Sequence, residues 1–182
     1  LEAFAEALSR FGLGHRLRQE LGSDFSRLSP EAVRRAAERL RDAGRPDRAY
    51  RLIATQFWKA AFHPSRPDAE LYWPRPYLGL FTDAARRNDI DLHLLYGLAR
   101  SESAFDKDAV SRSGAVGLTQ LMPATAAETA ARLKMSDYDL RDPADNLAMG
   151  SYYLARLLGG AVSAGRVLPA LFSYNGGPTR FR

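Results

Sequence analysis

The chain has 182 residues, enough for one large domain or two small ones, and 46% of them are hydrophobic, which supports an ordinary core. No apolar run approaches the roughly 20 residues needed to span a bilayer, and the lack of Cys excludes disulfides and thiolate metal sites. The net charge is +5, nearly all of its cations are Arg, and they are spread without a dense block, which reads as solvated helix faces rather than a nucleic-acid surface.

Taken in order, Leu1 to about Phe11 is expected to be a helix, with Phe4, Ala7, Leu8 and Phe11 on one apolar stripe. Gly12 and Gly14 end it, and Gly22 marks the next break. Ser29-Pro30-Glu31 is a helix start, with an N-cap, a proline at the first position and an acid in the first turn. Val33, Ala36, Ala37 and Leu40 form the buried face, and Gly44 closes it. After the Arg45-Pro46-Asp47 turn a second helix is expected to reach about Phe62, with Tyr50, Ile53, Ala54, Phe57 and Ala61 in phase. Two helices joined by so tight a turn resemble one unit of an α-solenoid, although no clean internal repeat is visible.

Between His63 and Pro76 four prolines are expected to stop helices and to mark a domain junction, placed here between residues 73 and 74. Tyr72, Trp73 and Tyr77 then read as junction packing in preference to sugar-stacking groups. A helix from about Tyr77 to Asn88 leads to Asp91, the N-cap of a further helix expected over Leu92 to Phe105. Its apolar face carries Leu95, Leu98, Ala99 and Glu102. A carboxylate there is paired, neutral or facing a cleft; partial burial would raise its pKa and suit it to general acid work. A Glu that reaches water from a last turn fits the same spacing.

Ser111, Ser113, Gly114 and Gly117 turn the chain, and Gly117 removes a side chain where a ligand or another segment approaches closely. Gln120 sits beside Leu118, Leu121 and Met122, and Pro123 fits the first turn of a helix with Ala127, Ala130, Ala131 and Leu133 inward. Asp142-Pro143 starts another, whose stripe is Leu147, Gly150, Ser151, Leu154 and Leu158; its small residues would admit a neighbouring helix. Val167 to Tyr174 is a last short helix, ending at Asn175-Gly176. Sheet signal is minimal. His15, His63 and His93 lack ligand spacing and no Gly-rich loop follows a strand, so no metal and no nucleotide cofactor is expected.

Four blocks of this chain together resemble the soluble lytic transglycosylase family. They are Glu102-Ser103, the run from Gly114 to Pro123, the run from Asn146 to Leu154, and Ser173-Tyr174-Asn175-Gly176-Gly177-Pro178. The resemblance covers about Pro74 to Arg182, with Thr119 where the family commonly has Met and Gly176 where it commonly has Ala.

It implies an all-α fold, with a lysozyme-like catalytic domain over 74–182 that continues past Arg182, preceded by a helical hairpin or solenoid-like segment over 1–73. It also implies cleavage of the β-1,4 bond between N-acetylmuramic acid and N-acetylglucosamine in peptidoglycan. Glu102 would act as acid and then as base, giving 1,6-anhydromuramoyl ends without a second carboxylate. Ser103, Ser111, Gln120, Met122, Tyr174 and Asn175 match positions that line the cleft or contact sugar, and Tyr174 would bond Glu102 or the N-acetyl group; Ser103 equally fits a local backbone bond, Tyr174 an ordinary buried Tyr with its hydroxyl satisfied, and Met122 core packing. An extracytoplasmic location and peptidoglycan glycan strands as partner follow from the same resemblance, which leaves room for cell-wall protein partners on the helical segment. A signal peptide or lipid anchor would lie upstream of Leu1. The alternatives are a goose-type lysozyme-like hydrolase, which delivers water and would need a second carboxylate such as Asp106 or Asp108, and a non-catalytic glycan-binding or assembly module.

Overall fold

Capping residues and prolines set the helix starts in the computed structural model, which describes residues 1–59 and 61–177. The chain divides into two units, Leu1–Pro76 and Tyr77–Arg182. No helix among the described residues is long and apolar enough to cross a membrane.

The first unit contains α1 (Glu2–Arg10), α2 (Leu17–Leu21), α3 (Pro30–Asp42), α4 (Pro46–Phe57) and α5 (Arg66–Tyr72), with short 3-10 turns at Gly14–Arg16 and Gly22–Arg27. At the start of α3 the Ser29 hydroxyl accepts from Ala32 N–H, and Pro30 occupies a position whose N–H would lack a helical partner anyway. The expected face of α3 is the observed one: Val33, Ala36, Ala37 and Leu40 are buried with Leu17, Phe25, Leu28, Leu52, Ile53 and Leu71. Each fully buried aliphatic side chain contributes about 1.5–3 kcal/mol relative to exposure.

Two expectations fail here. The second helix stops at Phe57 instead of about Phe62, because its aromatic residues pack on one another. Residues five apart point about 140° from each other on a helix, yet the Phe57 and Phe62 rings meet edge-on at 5.3 Å, which a turn after Phe57 allows. Phe57 also stacks on Tyr72 at 3.9 Å, and Trp73 meets Tyr72 edge-on at 4.8 Å. The second failure is the proline-rich stretch, which holds a helix. Ser65 and Asp68 form a reciprocal capping box, and Pro67 lies in the first turn, where proline starts helices instead of breaking them.

The second unit contains α6 (Leu78–Arg87), α7 (Leu92–Ser103), α8 (Pro123–Leu133), α9 (Pro143–Gly159) and α10 (Val167–Gly176), with no strand among the described residues. Helix α9 packs against α6, α8 and α10. Its stripe is as the sequence indicates: Leu147, Gly150, Ser151 and Leu154 are buried, and Leu158 packs at the margin. The Asp142 carboxylate caps it, accepting from Ala144 and Asp145 N–H. Helix α8 is rotated from the expected phase. Ala126, Thr129 and Ala130 are buried while Ala127 and Ala131 are exposed, because an alanine-rich run carries little phase information. Helix α7 ends at Ser103, before the expected Phe105. Ala104 and Phe105 turn left-handed (φ +55° and +67°), and Phe105 enters the core near Phe81 and Tyr96.

Candidate active site

Residues 104–122 link α7 to α8 without regular structure, pinched by bridges Val110–Val116 and Val116–Leu121. A loop this long holds one conformation only if its backbone groups find partners. Many are met within the loop itself, and Asn146 of α9 ties it to the helix. Its Oδ1 accepts from Thr119 N (2.9 Å) and Thr119 Oγ1 (2.7 Å), and its Nδ2 donates to Val116 O (3.0 Å) and Leu140 O (2.9 Å). All four bonding positions of the buried carboxamide are filled.

Two glycines make this junction possible. A Cβ on Gly117 (φ +81°) would lie 2.2 Å from Asn146 Nδ2, and one on Gly150 would lie 2.3 Å from Thr119 Oγ1. The close approach expected at Gly117 is therefore to another segment of the chain. What Gly150 admits is this loop, not a neighbouring helix; Ser151, the second small residue, does meet the preceding region, accepting from Asn88 Nδ2 at 2.8 Å.

The residues matched to cleft positions fall into two sets. Ser103, Ser111, Gln120 and Tyr174 bond to backbone, and Asn175 Nδ2 also donates to Leu171 O at 3.3 Å. Ser103 is buried, donating to Ala99 O and Leu118 O, which corrects its expected place among substrate contacts: burial takes its hydroxyl out of reach of a ligand. Ser111 Oγ accepts from Ala115 N (2.9 Å), and Gln120 Nε2 donates to Ala109 O and Gly117 O. Tyr174 bonds neither Glu102 nor open solvent but donates to Thr119 O at 2.9 Å. Burial pushes its hydroxyl far above the usual range, and the Glu102 charge adds to that, so it stays protonated. Met122, by contrast, is not core packing: it stands 42% exposed as the N-cap of α8.

Glu102 and Asn175 come together in a groove of about 340 Å³ between α7 and α10. Glu102 is half-buried, and desolvation alone raises its pKa above the ordinary carboxylate value. Among the described residues it is the only carboxylate lining the groove. Asp106 accepts from Asp108 N–H in the turn after α7, and Asp108 pairs with Lys107, so both serve local structure. Ser111, Gln120 and Met122 do not line this groove.

His93, Gly97 and Ser101 do line it, beside Leu94, Leu98 and Leu171. The sequence reading missed them, although the signal was present. His93-Gly97-Ser101 and Leu94-Leu98-Glu102 are adjacent i, i+4 rows on one helix. A larger cavity of about 510 Å³ lies among α6, α8 and α9, but its one carboxylate, Asp83, pairs with Arg86 at 3.1 Å. Among the described residues no group of three or more His, Cys, Asp or Glu is placed to hold a metal ion.

This arrangement is similar to known proteins. The chain superposes on the 70-kDa soluble lytic transglycosylase of Escherichia coli with a TM-score of 0.75 and 23% identity, over 100% of this chain and 28% of that one. The complex of the 70-kDa soluble lytic transglycosylase with bulgecin A matches with a TM-score of 0.75 and 22% identity, again over 100% of this chain and 28% of that one. An inactive Glu-to-Gln mutant of the lytic transglycosylase Slt from Pseudomonas aeruginosa matches at 28% identity and a TM-score of 0.72, over 85% of this chain and 24% of that one. The chain thus spans about a quarter of the length of these structures. Residues 79–182, the Glu102 groove and the Asn146-held loop included, match the Transglycosylase SLT domain family, and the chain belongs to that family.

Proposed function

We propose that this chain is a peptidoglycan lytic transglycosylase with Glu102 as its single acid and base. The observation that carries this reading is a half-buried carboxylate, its pKa raised by desolvation, with no second carboxylate in its groove. Family membership and the inactivity of the Pseudomonas relative bearing a Glu-to-Gln change support it.

Protonated Glu102 gives its proton to the leaving glycosidic oxygen. The resulting carboxylate then takes the proton of the muramoyl C6 hydroxyl, whose oxygen bonds to C1 as the ring closes. No water enters and Glu102 is left protonated. The C6 hydroxyl is tethered to the reacting sugar, so its effective concentration far exceeds that of a separate nucleophile once the pose is fixed. Asn175, exposed on the groove wall, is placed to bond the sugar. Tyr174, Gln120 and Ser111 act through the backbone they hold, and exposed Met122 offers an apolar contact. Such a substrate puts the chain in the cell envelope, where other cell-wall proteins could meet the first unit.

Digestion of peptidoglycan in ¹⁸O-labelled water with mass spectrometry of the products tests the reading. Anhydro ends without label are expected. Reducing ends carrying ¹⁸O at C1 would instead identify a goose-type hydrolase.

A further inference from the structure

A pocket with an arginine-rich lining lies wholly within the first unit. It measures about 340 Å³ and is lined by His15, Arg18, Arg48, Arg51, Leu52 and Thr55. Three guanidinium groups thus share one concavity with no carboxylate in its lining.

The nearby acids are engaged elsewhere. Glu20 pairs with Arg16 at 3.0 Å, and Asp47 with Arg45 at 2.8 Å. Among the described residues neither Arg18 nor Arg48 has a carboxylate within ion-pair distance. Arg48 Nη1 instead lies 3.1 Å from both ring nitrogens of His15. Burial and then the Arg48 charge lower the His15 pKa; a backbone hydrogen bond at Gly12 opposes them in part, and the Arg45 and Arg16 charges add to the lowering. The imidazole is therefore neutral near pH 7 and leaves the positive field to the arginines. This unit as a whole carries 14 Lys and Arg against 10 Asp and Glu, while the second is close to balance.

Grouped guanidinium groups repel one another unless an anion sits among them, and their planar forks match carboxylate geometry. The cavity volume corresponds to on the order of ten waters, at about 30 Å³ each in the liquid. One tetrahedral ion would leave most of that unfilled, whereas an acidic peptide residue would occupy it, with its methylenes on Leu52. Resting on the transglycosylase reading, we propose that this pocket binds the carboxylate-bearing peptide stems of the glycan strand, as a second substrate site apart from the Glu102 groove.

The test titrates the full chain with the tripeptide L-alanyl-γ-D-glutamyl-diaminopimelate, its fully amidated form and inorganic phosphate, following the amide NMR shifts of His15, Arg18, Arg48 and Thr55. The free-acid tripeptide should give saturable shifts there that weaken with added salt, and the amidated form should not. Arg18→Gln with Arg48→Gln should weaken binding tenfold or more, and Arg48→Lys, which keeps the charge, should lose less. Arg18 is exposed, so Arg18→Gln alone gives a reading independent of packing.

Absence of saturable shifts at these residues, equal binding by the double variant, or saturation by phosphate but not by the tripeptide would each overturn the proposal. The readout does not depend on catalysis. Stem binding without anhydro products would refute the transglycosylase reading while leaving the pocket's assignment intact.

Discussion

The two units are both built of helices, yet different forces give each its order. In the first, aliphatic faces meet over most of the core, although Asp47, Gln56 and Asp68 are buried too: α3 brings Val33, Ala36, Ala37 and Leu40 to Leu52 and Ile53 of α4. In the second, a 19-residue irregular segment is held against α9 by one buried carboxamide, that of Asn146, and tied to α10 through Tyr174. Apolar packing is non-directional and tolerates repacking, whereas a filled hydrogen-bond set fixes one conformation and penalises any lost member. Chemistry needs its groups held to a fraction of an ångström, and the irregular, polar-anchored unit is the one that contains Glu102.

The largest effect expected is on chemistry alone. Glu102→Gln keeps the shape and removes the proton, so turnover of peptidoglycan should fall by about 10²–10⁴-fold in a folded variant that melts no lower than the parent. Normal turnover in a folded variant would move the acid elsewhere.

Next is the hub. Asn146→Ala strands Thr119 N–H and Leu140 O, each costing about 1–3 kcal/mol, while Val116 O keeps its bond from Leu121 N–H. A total loss of ~3–5 kcal/mol in denaturant unfolding is expected. In the first unit Leu40→Ala should cost about 2–5 kcal/mol, and a volume-keeping Leu40→Met under about 1.5 kcal/mol. The similarly sized Asn146→Leu should give no such rescue, since it strands the same groups. If it did, the contrast between the units would collapse.

Smaller still, Ser29→Ala removes the cap of α3 and should cost about 1 kcal/mol. A pH series sharpens the picture of Glu102. Because its folded pKa is raised, the native state binds the proton more tightly than the unfolded chain does. Stability therefore falls as pH climbs from about 4.3, the ordinary Glu value, through the raised value. Above that window Glu102→Gln should melt higher than the parent, and below about 4.3 the difference should vanish. Least affected of all should be Asp106→Asn, whose parent carboxylate serves a turn, with turnover near normal.

Helix starts, the inner faces of α3 and α9, and the place of Glu102 on the apolar row of α7 were legible in the sequence. Caps, prolines and 3.6-residue periodicity act over one or two turns, and a carboxylate in an apolar row is visible within four residues. Other features depend on partners distant in the chain. Phe57 ends α4 because Phe62 and Tyr72 pack onto it, and the alanines of α8 take their phase from what covers them. Ser103 and Tyr174 have residue types suited to gripping a sugar, yet Leu118 O and Thr119 O were placed beside them by tertiary packing.

By itself, then, the sequence determined an all-α chain that carries four transglycosylase motifs in register, because local spacing encodes both. Only the tertiary structure decided which polar residues face the groove and which hold the loop behind it. A hydroxyl or carboxamide bonds to whatever group the fold brings within about 3 Å, and that neighbour lies 15 residues away for Ser103, 27 for Asn146 and 55 for Tyr174.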